Sequence, residues 1–142
     1  GNDVAAIFKS LQMDPGFPHQ YMDVHYEVVD DKHGSFWLDY CGALADVEPW
    51  GEARVVSMCH HIEDPTFDAT MQAVNPKAKC RPVHRPPRDP KDRKPVCHWE
   101  VTIDDDAEPA EEAPITKITR LSTAATFEFR PVRKRAGKGK GA

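Results

Sequence analysis

The spacing of apolar positions changes several times along the chain, and each change marks an element. Val4, Ile7, Phe8 and Leu11 recur at helical spacing behind Asn2 or Asp3, either of which can cap a first amphipathic helix. Asp14-Pro15-Gly16 ends it. From Tyr21 to Val29 the period drops to two: Met22, Val24, Tyr26 and Val28 alternate with Asp23, His25 and Glu27. That is a strand with one buried and one wet face. Asp30-Asp31-Lys32-His33-Gly34 reads as a hairpin turn with Gly34 free to take positive φ, and Ser35 to Tyr40 as the return strand.

Helical spacing resumes near Trp50, with Val55, Val56, Met58, Cys59 and Ile62 on the apolar side. Asp64-Pro65 reads as a cap and first-turn proline, so a new helix is predicted there, with Phe67, Thr70, Met71 and Val74 as its stripe and Asn75-Pro76 as its stop. Lys79 to Val83 can be a strand, which Pro82 places at a sheet edge or demotes from strand altogether. His84 to Pro95 holds four prolines and reads as an extended surface loop. Val96 to Ile103 is a strand; Val96, His98, Glu100 and Thr102 face one way and Cys97, Trp99, Val101 and Ile103 the other.

These elements predict an α+β fold: two hairpins pairing into one antiparallel sheet, with helices packed on one face. The organisation is one α+β domain over 1–103, an acidic linker over 104–113, a possible helix and strand over 114–130, and a disordered basic tail over 131–142. Ile115, Ile118 and Leu121 supply the late helix, and Thr126 to Phe129 the late strand.

Charge sharpens that division. Residues 1–76 carry 13 acids and 3 Lys/Arg, residues 77–94 carry 8 Lys/Arg and 2 acids, residues 104–112 carry 6 acids, and residues 130–142 carry 6 bases. The net charge of −4 conceals these blocks. The plain reading is solvated segments with weak mutual attraction; the sharper reading of the tail is a nucleic-acid or membrane contact. Sparse, unclustered aromatics argue against a stacking platform for nucleic acid. No apolar run is long enough to span a bilayer, and no basic-then-apolar leader is present. Gly1 in place of Met suits a processed chain or a piece of a longer protein. The expected setting is cytoplasmic, with Cys41, Cys59, Cys80 and Cys97 reduced.

Candidate chemistry gathers at four places. Met58-Cys59-His60-His61 sets thiol beside imidazole, so Cys59 is a candidate nucleophile or zinc ligand and His60 a general base or ligand. The alternative is a buried thiol with two surface histidines. Cys97-His98-Trp99 opens a strand, where neighbours face opposite sides, so Cys97 and His98 share a pocket only across a bulge. In His84-Arg85-Pro86-Pro87-Arg88, His84 is a second candidate base, while Arg85 and Arg88 offer forks to a carboxylate or phosphate. A solvated basic loop answering the acidic N-terminal part is the alternative. Cys80 lies between Lys79 and Arg81, whose charges favour a thiolate; a surface thiol on an edge strand is the preferred alternative. No C-x-x-C occurs, and phosphate-loop, dinucleotide, nucleophile-elbow and zincin motifs are absent from the sequence.

Tyr40-Cys41-Gly42-Ala43 closing a hairpin, Met58-Cys59 on the next helix, and Cys97-His98-Trp99-Glu100-Val101 opening the last strand together resemble the L-2-amino-thiazoline-4-carboxylic acid hydrolase family, and more distantly the vinyl-reductase-type sensor domains. The resemblance spans roughly residues 20–103; the proline-rich stretch from His84 to Pro95 departs from the family's short turn. It implies a small-molecule pocket between helices and sheet, with Cys41, Cys59 and Cys97 as the positions to watch. In the sensor relatives comparable cysteines hold zinc. Three readings follow: a sensor-like domain binding a small molecule, with a Cys/His metal site built on Cys41, Cys59 and Cys97; a hydrolase opening a small cyclic amidine or amide through Cys59, His60 and His84, with Arg85, Arg88 and Trp99 holding substrate; or a structural module of a larger protein.

Overall fold

The computed structural model describes residues 1–131 and divides the chain into two compact units, Gly1–Ala110 and Glu111–Ala142. In the first, helix α1 (Val4–Gln12) is capped by Asp3, whose carboxylate accepts the Ala6 N–H at 2.7 Å. Strands β1 (Met22–Val28) and β2 (His33–Cys41) form the first hairpin, and β3 (Ala78–His84) and β4 (Cys97–Ile103) the second. β2 pairs with β4, giving one antiparallel sheet in the order β1-β2-β4-β3. The predicted α+β class and the union of two hairpins are both observed.

Period-two patterning sets the register. Phe36, Leu38, Trp99, Val101, Ile103, Ala78 and Cys80 are buried on the inner side of the sheet and join Val4, Ile7, Phe8 and Leu11 of α1 in one core. Phe67 of α4 (Glu63–Gln72) fills the centre, its ring 4.7 Å from Trp99 and 5.2 Å from Phe36. Edge-to-face packing of this kind adds to the burial of large apolar area.

Three local expectations of the first unit are corrected. Gly34 does not take positive φ; among the described residues Gly51 alone does, at 97°. Gly34 sits within β2 because a Cβ there would lie 2.6 Å from Val4 Cγ1 and 2.7 Å from the Glu27 carbonyl: the absence of a side chain lets α1 approach the sheet. No new helix starts at Asp64-Pro65. α2 (Gly42–Val47) and a short 3-10 turn (Glu48–Trp50) lead into α3 (Glu52–Val56), which runs through a π-helical turn (Ser57–Ile62) directly into α4. Pro65 has no N–H to give the preceding turn; one residue on, the Thr66 hydroxyl donates to the Ile62 carbonyl at 2.7 Å. The acidic stretch is held against the first unit as far as Ala110, whose N–H donates to the Pro76 carbonyl at 2.8 Å.

In the second unit the helix is the short α5 (Pro114–Thr119), and Thr126 to Phe129 forms no strand. Ile115, Ile118, Leu121, Phe127 and Phe129 are exposed there, and a strand without a buried face or a paired neighbour has little to hold it. The basic-tail expectation lies outside the described residues beyond Pro131. No helix among the described residues is long and apolar enough to cross a membrane.

Candidate functional site

Three cysteines that are far apart in sequence line one cavity. Cys41 ends β2 and caps α2, its backbone extended and its sulfur accepting the Leu44 N–H at 3.4 Å. Cys59 lies in the π-helical turn, 7% exposed. Cys97 opens β4, where it pairs with Leu38 of β2. All three line a cavity of about 30 Å³ with Glu63, Trp99, Phe17, Phe67 and Pro86. That space suits an ion or one or two waters, not a substrate of metabolite size. A second cavity of about 110 Å³ adjoins it and shares Cys41, Leu44 and Val96.

Burial governs the thiols. Desolvation pushes Cys59 and Cys97 up to about 12, and Cys41 in the same direction. For Cys59 the next influences are the Cys41 and Cys97 sulfurs and Glu63, all opposing a thiolate; Arg85 favours one only weakly. Burial, then Asp64, raises the Glu63 carboxyl as well. The Trp99 indole N–H is buried without an acceptor in hydrogen-bonding geometry, yet it faces Cys97 closely enough to offset part of the burial effect there. A cavity with three thiols held neutral by burial, one carboxyl and one donor without an acceptor has groups that a charged guest would engage.

The other candidate residues are placed differently. His60 turns its Nε2–H to the Pro86 carbonyl at 2.7 Å, tying the π-helical turn to the proline-rich loop. Arg85 pairs with Asp64 and lies over the Trp99 ring at 5.8 Å. Arg88 forks onto Glu48, with its Nη2 2.9 and 2.8 Å from the two carboxylate oxygens. Both arginines are thus paired within the domain, Arg88 through its fork and Arg85 through one nitrogen, and they pin the loop that contributes Pro86 to the cavity. His84 is on the far side of the sheet, beside His98 with ring centroids 6.1 Å apart; burial, then Arg93 and His98, lower its pKa. Strand alternation would send His84 inward, but a bulge between Pro82 and His84 turns it out. The Lys79 and Arg81 reading of Cys80 is corrected by its depth: Cys80 is 1% exposed and burial pushes its thiol up, while Arg81 is drawn to Asp68 at 2.8 Å.

Glu63 is the cavity residue that sequence reasoning missed; its signal was its position four residues after Cys59 in a helical stretch. Thiols and a carboxyl are donor types that zinc takes, but no three of Cys41, Cys59, Cys97 and Glu63 bring their ligand atoms within 4.8 Å of one another. Among the described residues the one set of three potential ligand atoms within 4.8 Å of one another is Asp23, His25 and Asp39, on the opposite face of the sheet. Comparison of the chain with family models, with curated proteins and with solved structures gives no match.

Proposed function

We propose that this domain is a binding module that takes up a soft divalent cation of the zinc class in the thiol-lined cavity. Cys41, Cys59 and Cys97 serve as thiolate ligands and Glu63 completes the set. The observation that carries this reading is convergence: a strand end, a π-helical turn and a strand start each deliver a cysteine to one ion-sized space. π-Helical turns are rare and recur at functional positions. Zinc takes thiolates and carboxylates readily. Rotation of a cysteine between staggered wells carries its sulfur roughly 3 Å, a movement available for drawing the sulfurs together. The Trp99 N–H, without an acceptor, suits a metal-bound thiolate as its partner.

The same features weigh against nucleophilic catalysis. A thiol nucleophile needs a nearby cation or base. Here burial keeps the thiols protonated, His60 is committed to Pro86, and His84 lies across the sheet. Metal uptake would displace the thiol protons, so affinity rises with pH.

Cobalt substitution tests the reading. Wild-type chain titrated with Co²⁺ should develop thiolate-to-cobalt charge-transfer absorption saturating at one ion per chain. Cys59→Ser and Cys97→Ser should lose it, while Cys80→Ala, which lies outside the cavity, keeps it. No such absorption in wild type, or absorption unchanged in both cavity variants, would rule the metal site out and leave an inert thiol scaffold.

A further inference from the structure

The outer face of the sheet carries a second constellation, independent of the thiol cavity. Asp23 and His25 project from β1 and Asp39 from β2, away from the core. His25 Nε2 is 3.4 Å from Asp23 Oδ1 and 3.3 Å from Asp39 Oδ2. A register shift between Asp23 and Val24 leaves Asp39 as the extra residue of β2, between Leu38 opposite Val24 and Tyr40 opposite Asp23. That bulge sets both carboxylates on one side of the sheet, against one imidazole. The ring of His25 is stacked on Trp37 at 5.5 Å and 13°, which fixes the plane of its nitrogen.

We propose that Asp23, His25 and Asp39 form a binding site for a first-row divalent cation. The nearby pair of His33 with Asp30 shows the ordinary alternative, one imidazole on one carboxylate at 2.9 Å. At His25 two carboxylates from neighbouring strands converge, held there by the β1–β2 ladder rather than free to separate. A protonated His25 offsets one of the two negative charges. A divalent ion offsets both and takes neutral imidazole as a third ligand. One nitrogen and two carboxylates favour a first-row ion of the cobalt or zinc kind, with manganese held more weakly, over calcium or magnesium, which prefer all-oxygen shells. The exposure of the three side chains leaves water to fill the remaining positions. Trp37 acts as the support that orients the ligand ring.

Mn²⁺ is the suitable probe, because its preference for oxygen and nitrogen keeps it off the thiols. Free Mn²⁺ would be followed by electron paramagnetic resonance during titration of the full chain, with pulsed measurement of nitrogen coupling to the bound ion. One ion per chain is expected, with a histidine nitrogen coupling that vanishes in His25→Gln. Asp39→Asn and His25→Gln should each weaken binding at least about tenfold. Asp106→Asn in the acidic stretch and Cys59→Ser should leave it unchanged. The three ligands are exposed, so the variants should keep the wild-type thermal melt. Binding without nitrogen coupling, binding weakened as much by Asp106→Asn as by Asp39→Asn, or no binding at all would overturn the site.

Discussion

At the scale of single residues, burial decides the state of the thiols. The sequence placed Cys41, Cys59 and Cys97 on a hairpin end, a helix and a strand start, and those positions do meet at one cavity. Their ionisation was not legible, because it depends on depth: the first cause of every raised thiol is burial. Alkylation by a small haloacetamide should therefore be slow for all four thiols at pH 7 in native protein. It should quicken steeply only on unfolding, as stopped-time mass spectrometry would read. One fast thiol at neutral pH would reinstate a nucleophile. His84 gives the second residue-scale outcome. Its pKa is lowered in the fold, so the unfolded chain takes up the proton first as pH drops below about 6.5. Stability from this group is full above that value and is lost as pH falls through the lower folded value. His84→Gln should flatten the pH dependence of the urea midpoint between pH 7 and 5; an unchanged slope would assign it to other groups.

At the scale of elements, alternation and helical spacing located four strands and the apolar stripes of α1 and α4. They failed where the backbone departs from its period. The bulge at Pro82/His84 moved a candidate base to the outer face, and the one at Asp23/Val24 gathered two carboxylates and an imidazole that alternation alone does not bring together. A bulge leaves no fixed residue signature, so neither was readable. Pro65 signals a helix start in sequence, but the i→i+5 bonding of the preceding turn carries the helix past it. Gly34 is the sharpest test at this scale. A methyl group would press on a backbone carbonyl that cannot step aside. Gly34→Ala should cost about 1–3 kcal/mol in chemical denaturation. A loss below about 0.5 kcal/mol, within the range of ordinary surface changes, would mean that α1 does not approach the sheet this closely.

At the scale of the molecule, the long connection between β3 and β4 closes the cavity. Three helical segments hold it down: Asp64 takes Arg85, Glu48 takes Arg88, and His60 donates to the Pro86 carbonyl. Its composition promised a basic loop answering the acidic N-terminal part, and two of its arginines do meet acids there; which acids was hidden, since the partners stand 21 and 40 residues away. Arg88→Ala should destabilise by about 1 kcal/mol, the half-exposed Glu48 keeping the cost low. It should also raise hydrogen exchange across residues 85–95. Exchange unchanged in that segment would mean that the fork does not anchor the loop.

The central claim is that three thiols from distant parts of the chain bind one ion together. X-ray absorption at the zinc edge of chain loaded with one equivalent of Zn²⁺ addresses it directly. The account predicts three sulfur neighbours at about 2.3 Å with one oxygen. A shell of oxygen and nitrogen alone would place the ion away from the cysteines and contradict it.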